Sequence, residues 1–104
     1  MKKWVEVGTV KEMRERGRIT TYVNGDRIAV FFTQDEYFAI EDVCTHAEAA
    51  LSEGEVEGQT VICPLHGSRF DLRTGNALSL PAVSSVRTFP VKVEGEIVYV
   101  EVEE

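Results

Sequence analysis

Ile19-Thr20-Thr21-Tyr22-Val23-Asn24-Gly25-Asp26-Arg27-Ile28-Ala29-Val30-Phe31-Phe32-Thr33 is the stretch that decides the fold. Residues 19–23 are β-branched or aromatic and favour extended backbone. Asn24-Gly25 suits a two-residue turn whose central residues need positive φ, and 27–33 is a second β-rich run. A hairpin is expected here. Gln34-Asp35-Glu36 then turns the chain again and 37–40 returns, so the first half reads as an antiparallel meander. Outward from it, 4–7 alternate modestly. Residues 86–93 and 97–102 flank Glu94-Gly95-Glu96 as a second hairpin, and the later residues of 97–102 alternate apolar and acidic, as in a half-buried strand. Helix is expected only at 10–16, where Thr9 is an N-cap and Glu12 its capping-box partner, and at 47–51. The fold class that follows is all-β, an antiparallel sandwich or small barrel.

The chain has 104 residues, room for one domain spanning 1–104. No repeat, linker or low-complexity segment divides it. Its apolar fraction of 43% is ordinary for a globular protein. The longest apolar stretches, 28–32 and 60–63, are far too short to cross a bilayer. Glu6 interrupts the start Met-Lys-Lys-Trp-Val-Glu-Val before a signal-like apolar run forms, so a cytoplasmic protein without membrane contact is expected. Eighteen acidic against 11 basic side chains leave a formal charge of −7. That balance argues against nucleic-acid binding, which needs clustered Lys and Arg, and is compatible with docking onto a basic protein surface. The mixed charges Lys11, Glu12, Arg14, Glu15, Arg16 and Arg18 read as a solvated stretch.

The segment 42–81 differs from the rest. It is rich in turn residues (Gly54, Gly58, Pro64, Gly67, Gly75, Pro81) and holds both cysteines and both histidines of the protein. Cys44-Thr45-His46 is followed, after sixteen residues, by Cys63-Pro64-Leu65-His66, a C-x-H…C-x-x-H pattern. Each short loop offers one thiolate and one imidazole. Buried filler cysteines or satisfied histidines explain single residues but not two matched pairs. A Cys44–Cys63 disulfide leaves the histidines without a role and is rare in cytosolic proteins. Structural zinc accepts two thiolates and two imidazoles but usually takes them as C-x2-C and H-x3-H pairs. A catalytic Cys/His couple would use one pair only. Mixed pairs suit two irons, one holding both thiolates and the other both imidazoles.

The chain resembles the Rieske ferredoxins, including those of bacterial aromatic-ring dioxygenase systems and the small subunit of NADH-dependent nitrite reductase. The resemblance is carried by Cys44-Thr45-His46, Leu51-Ser52-Glu53-Gly54, Cys63-Pro64-Leu65-His66-Gly67-Ser68, Phe70-Asp71, Arg73-Thr74-Gly75, Leu80-Pro81-Ala82 and Phe89-Pro90-Val91-Lys92-Val93. It implies a Rieske-like fold of two antiparallel sheets with an inserted cluster-binding subdomain at about 42–82. It also implies one [2Fe–2S] cluster per chain, held by Cys44, His46, Cys63 and His66. Leu80-Pro81-Ala82 matches a third loop that covers the cluster in that family, although a plain turn before the next strand is an equal reading.

Departures from the family pattern bear on the redox potential. Membrane-complex Rieske proteins carry an extra cysteine in each loop, joined by a disulfide. Ala49 and Leu65 stand there in this chain. Ser68 matches a serine that donates to a cluster sulfur in the high-potential branch, whereas Phe70 replaces the tyrosine expected beside it. Glu48, Glu53, Glu55 and Glu57 would oppose reduction if the loop brings them close. A potential in the lower half of about −150 to +300 mV is expected.

No G-x-G-x-x-G or P-loop is present, and no acid–base pair stands out. Together with these absences, the resemblance implies a monomeric electron carrier rather than an enzyme, passing single electrons from a reductase to a terminal oxygenase. A nitrite reductase small subunit and a zinc-stabilised binding module are the alternatives.

Overall fold

The computed structural model describes residues 1–45, 49–82 and 84–103. Strands β1 (Lys2–Thr9), β10 (Ile97–Glu103) and β9 (Val91–Glu94) form one antiparallel sheet in the order β1-β10-β9. Strands β2 (Arg18–Val23), β3 (Asp26–Thr33), β4 (Glu36–Glu41) and β8 (Thr88–Phe89) form a second in sequence order. A third small sheet, β5 (Val56–Glu57), β6 (Thr60–Ile62) and β7 (Arg69–Asp71), belongs to the inserted segment. The expected sandwich and insertion are thus both present.

The meander forms as expected, with Val23 opposite Asp26; its second turn is one residue shorter than expected, because Glu36 already pairs with Thr33. Both connections are two-residue turns. Asn24 and Gly25 adopt φ of 52° and 85°, and Gln34 and Asp35 adopt 50° and 63°. This backbone twist matches that of the flanking strands.

Strand β3 explains its own continuous apolar sequence. Ile28 and Val30 enter a core with Val98, Val100 and Met13, whereas Ala29 and Phe31 enter a second core with Cys44 and Cys63. Adjacent residues of β4 divide the same way, Ala39 to the first core and Phe38 and Ile40 to the second. Successive side chains of a strand point to opposite faces, so a strand covered on both sides loses the polar half of its alternation. The middle sheet therefore rests on the β1-β10-β9 sheet with one face and carries the inserted segment on the other.

Helix α1 (Val10–Arg16) forms as expected, with a complete capping box. The Glu12 N–H donates to Thr9 Oγ1 at 3.1 Å, and the Thr9 N–H donates to Glu12 Oε1 at 3.2 Å. Gly17 ends the helix at φ 78°, and Met13 is the residue it buries.

Two expectations are corrected. Residues 86–93 are not one strand. The chain pairs with β4 through Thr88–Phe89, then with β10 through Val91–Glu94, and changes sheet at Pro90. Proline has no N–H for a ladder and suits such a corner. The helix expected at 47–51 is also not formed over its described part. Ala49 and Ala50 are irregular, and only Leu51–Glu53 makes a turn of 3-10 helix. The Ala49 carbonyl is turned back to accept from the Cys44 N–H at 2.9 Å. Ala47 and Glu48 lie outside the described residues.

Where the chain re-enters the sandwich, Arg87 donates to Asp26 at 2.7 Å and to Glu41 at 3.4 Å. The hydrogen bond to Asp26 holds the guanidinium above the usual arginine range, against an opposing effect of burial. Arg87 is exposed and both carboxylates are partly so, and the triad contributes register more than stability.

Met13→Ala is expected to cost about 2–5 kcal/mol, because it empties space in the inter-sheet core. Loss of the cap in Thr9→Ala should cost about 1 kcal/mol. Urea denaturation of both variants checks this order, which requires the larger midpoint shift for Met13→Ala.

Candidate metal centre

Cys44 and Cys63 come from loops that follow β4 and β6, and both side chains are buried in the same apolar cluster with Leu51, Phe70, Ala82 and Val86. Neither cysteine is in a disulfide. The second loop is a tight turn in which the Cys63 N–H donates to the Ser68 carbonyl at 2.7 Å and the Gly67 N–H returns to the Cys63 carbonyl at 3.0 Å. That turn exposes Pro64, Leu65 and His66 to solvent. His46 lies outside the described residues, and among those that are described no three His, Cys, Asp or Glu side chains gather as a metal site. Two cysteines are therefore brought into one cluster, with one histidine exposed in the turn of the second.

The segment around Leu80-Pro81-Ala82 is fastened to both loops. The Ala82 N–H donates to Ser68 Oγ at 3.1 Å, and Ser68 is fully buried. On the other side, Thr45 Oγ1 donates to the Ser84 carbonyl at 2.7 Å. The Arg69 N–H adds a bond to Ser79 Oγ at 3.0 Å. Because the Ala82 amide occupies a lone pair of Ser68 Oγ, the hydroxyl proton is left for another acceptor. Ser79 and Ser84 were not singled out by sequence, and Thr45 only as part of the Cys44-Thr45-His46 motif; short polar side chains in a turn-rich segment carry no periodic signal.

The acidic residues divide. Glu53 and Glu55 line a groove with Ile62, Cys63, Pro64 and Gly67. Glu57 is paired with Arg69 at 2.9 Å, and Glu48 lies outside the described residues. Phe70, with no hydroxyl to offer, is a fully buried apolar residue opposite Val61.

A match to the Rieske [2Fe-2S] domain spans residues 3–90. The chain belongs to the Rieske [2Fe-2S] family. The ferredoxin component of a naphthalene 1,2-dioxygenase system from Pseudomonas aeruginosa is 36% identical over 99 residues, 95% of each chain. Among solved structures, the ferredoxin of carbazole 1,9a-dioxygenase from Nocardioides aromaticivorans IC177 superposes with a TM-score of 0.87 at 36% identity, over 94% of this chain and 96% of that one. A chain from a complex of reduced oxygenase and oxidized ferredoxin in carbazole 1,9a-dioxygenase superposes with a TM-score of 0.85 at 35% identity, over 93% and 91% of the two chains.

The donor set suits the cofactor that defines a Rieske domain. Two sulfurs buried in one apolar cluster match its thiolate half, and an exposed imidazole in the turn after the second sulfur matches its histidine half. Family membership favours an iron–sulfur cluster over structural zinc.

Ser68→Ala deletes the acceptor of the Ala82 amide in a site closed to water. A cost of about 1–3 kcal/mol is expected for the orphaned N–H. Hydrogen exchange at the Ala82 amide should accelerate accordingly, and unchanged protection would contradict the fastening role.

Proposed function

We propose that this Rieske domain is the electron-carrying component of a multicomponent oxygenase system, with Cys44, His46, Cys63 and His66 as the cluster ligands. In this reading it takes single electrons from a reductase and delivers them to a terminal oxygenase. The observation that carries the reading is the combination of two buried cysteines with a histidine exposed in the same turn as one of them. When bound, a [2Fe–2S] cluster of this ligand type accepts and returns one electron at about −150 to +300 mV. The residues of the chain supply the rest. Leu51, Phe70 and Ala82 exclude water around the sulfurs, Ser68 offers a hydroxyl proton beside Cys63, and His66 lies at the surface.

Relatives named as ferredoxin components, and a related chain solved with an oxygenase, support the role of carrier rather than enzyme. One domain spanning 1–104, with the cluster-binding subdomain at about 42–82, is part of the same proposal. So are a monomeric state and a cytoplasmic location; among the described residues no helix is long and apolar enough to cross a membrane.

Docking would use the loop end of the molecule. Leu65, Leu78 and Leu80 are 56%, 53% and 77% exposed there. Three large apolar side chains left in water on neighbouring loops mark an interaction surface. The acidic pair Glu53 and Glu55 beside them suits a partner with basic groups at its rim.

Protein expressed with iron available and reduced with dithionite should show a rhombic EPR signal with average g near about 1.9, and Cys44→Ser or Cys63→Ser should abolish it. A colourless zinc protein would overturn the assignment. The midpoint is expected in the lower half of the range, and a value above about +200 mV contradicts that placement.

Leu80→Glu, at an exposed position, should leave the EPR signal intact. It should weaken productive encounter with the oxygenase by at least about 1 kcal/mol, read as electron-transfer rate against partner concentration.

A further inference from the structure

The turn Leu51–Glu53 is held from both sides by charged residues that lie outside the ligand loops. Asp42 directly follows β4 and is 2% exposed. Its Oδ1 accepts from the Ser52 N–H at 2.7 Å, and its Oδ2 accepts from the Ser52 hydroxyl at 2.7 Å. Asp42 is itself tied to the sandwich, since its N–H donates to the Arg27 carbonyl at 2.8 Å. From the other side, Arg18 Nη1 donates to the Ser52 carbonyl at 2.7 Å and to the Gly54 carbonyl at 2.6 Å. One guanidinium nitrogen carries two hydrogens, so both bonds can form at once. The Arg18 guanidinium lies 5.2 Å from the centre of the Phe31 ring, and Arg18 is the cross-strand partner of Phe31.

The clamped turn touches both cysteine loops. Asp42 stands two residues before Cys44, so its grip on Ser52 closes the base of the first loop. Gly54 lies directly on β6, where a Cβ would collide with the Ile62 carbonyl oxygen. The Ile62 N–H also donates to the Glu55 carbonyl at 2.9 Å, and Cys63 follows at once. Leu51, between them, is fully buried in the cluster that holds both cysteines. The relative placement of the two loops therefore runs through Ser52–Gly54, and that segment is fixed by an anion at its N–H side and a cation at its carbonyl side.

We propose that Arg18, acting with Asp42 through this turn, is a positioning residue for the cluster, setting the spacing of the Cys44 and Cys63 loops from within the body of the sandwich. The inference rests on the reading of Cys44, His46, Cys63 and His66 as ligands. Arg18 touches no ligand itself. It acts through the two carbonyls it binds, and its planar fork is poorly replaced by the point charge of lysine.

The test uses the cluster-loaded protein and Arg18→Met, which keeps an apolar stem over Phe31 and removes the donors. Ser52→Ala is the milder probe, deleting only the hydroxyl bond to Asp42. Both should shift the EPR g-values and speed iron release to a chelator, Arg18→Met by about 10–100-fold, the scale for groups that orient metal ligands. Arg18→Lys should recover part of that loss. Met13→Ala serves as the comparison, because it weakens the other core without touching either loop. It should lower global stability with unchanged g-values. If Arg18→Met and Ser52→Ala leave g-values and iron release at the wild-type level, or move them no further than Met13→Ala does, the positioning role is wrong. If the wild-type protein itself lacks the rhombic signal, the ligand reading has failed instead.

Discussion

In the proposed site two loops separated by sixteen residues present their sulfurs to one small volume, and that volume must stay dry. Everything else in the molecule follows from how this convergence is met. Over their described residues neither loop is a helix or strand around its cysteine, and both lean on a shared apolar cluster. Its floor is the face of the middle sheet that carries Phe31 and Ile40. The rigidity of a packed interior is what turns a pair of loops into a defined site, since a close-packed core tolerates little displacement. A single layer of sheet thus serves two cores, one that holds the sandwich together and one that seats the site.

Polar groups inside this arrangement are few and bonded. Among the described residues Asp42 and Ser68 are the buried polar ones, and each joins separate segments: Asp42 to Ser52, Ser68 to Ala82. Burying a carboxylate or hydroxyl without a partner is costly, so each pairing specifies one arrangement of its loop against the alternatives. By contrast the ion pairs Arg69–Glu57 and Arg73–Glu36 are solvent-exposed and worth about 0–1 kcal/mol each. The acidic surplus of the chain lies mostly on the surface, where it acts on encounter with a partner more than on the fold. Leu65, Leu78 and Leu80 leave apolar surface exposed in the loops around the candidate centre.

Much of this was legible in the residues. The Asn24-Gly25 turn and its flanking β-rich runs announce a hairpin because the signal is local, and Thr9 with Glu12 announces the start of α1 for the same reason. The ligand candidates stood out through chemistry rather than pattern, as all four Cys and His residues share one segment. The errors were of one kind. Residues 86–93 read as one strand because propensity does not say which sheet a strand joins, and over its described part the helix expected at 47–51 gave way to the contact of Ala49 with Cys44. Arg18 read as one more charge in a solvated stretch, yet it bonds to carbonyls 34 and 36 residues away.

The amino-acid sequence by itself determined the meander, the capped helix, the class of fold and the residue types able to bind the cofactor. Each of these depends on preferences expressed within a few neighbours, or on the identity of a side chain. Only the tertiary structure decided which face of β3 serves which core, where the chain changes sheets at Pro90, and how Asp42, Arg18 and Ser68 hold the loops in place. Those outcomes depend on contacts between segments tens of residues apart. Such contacts exist only once the apolar surfaces have found each other.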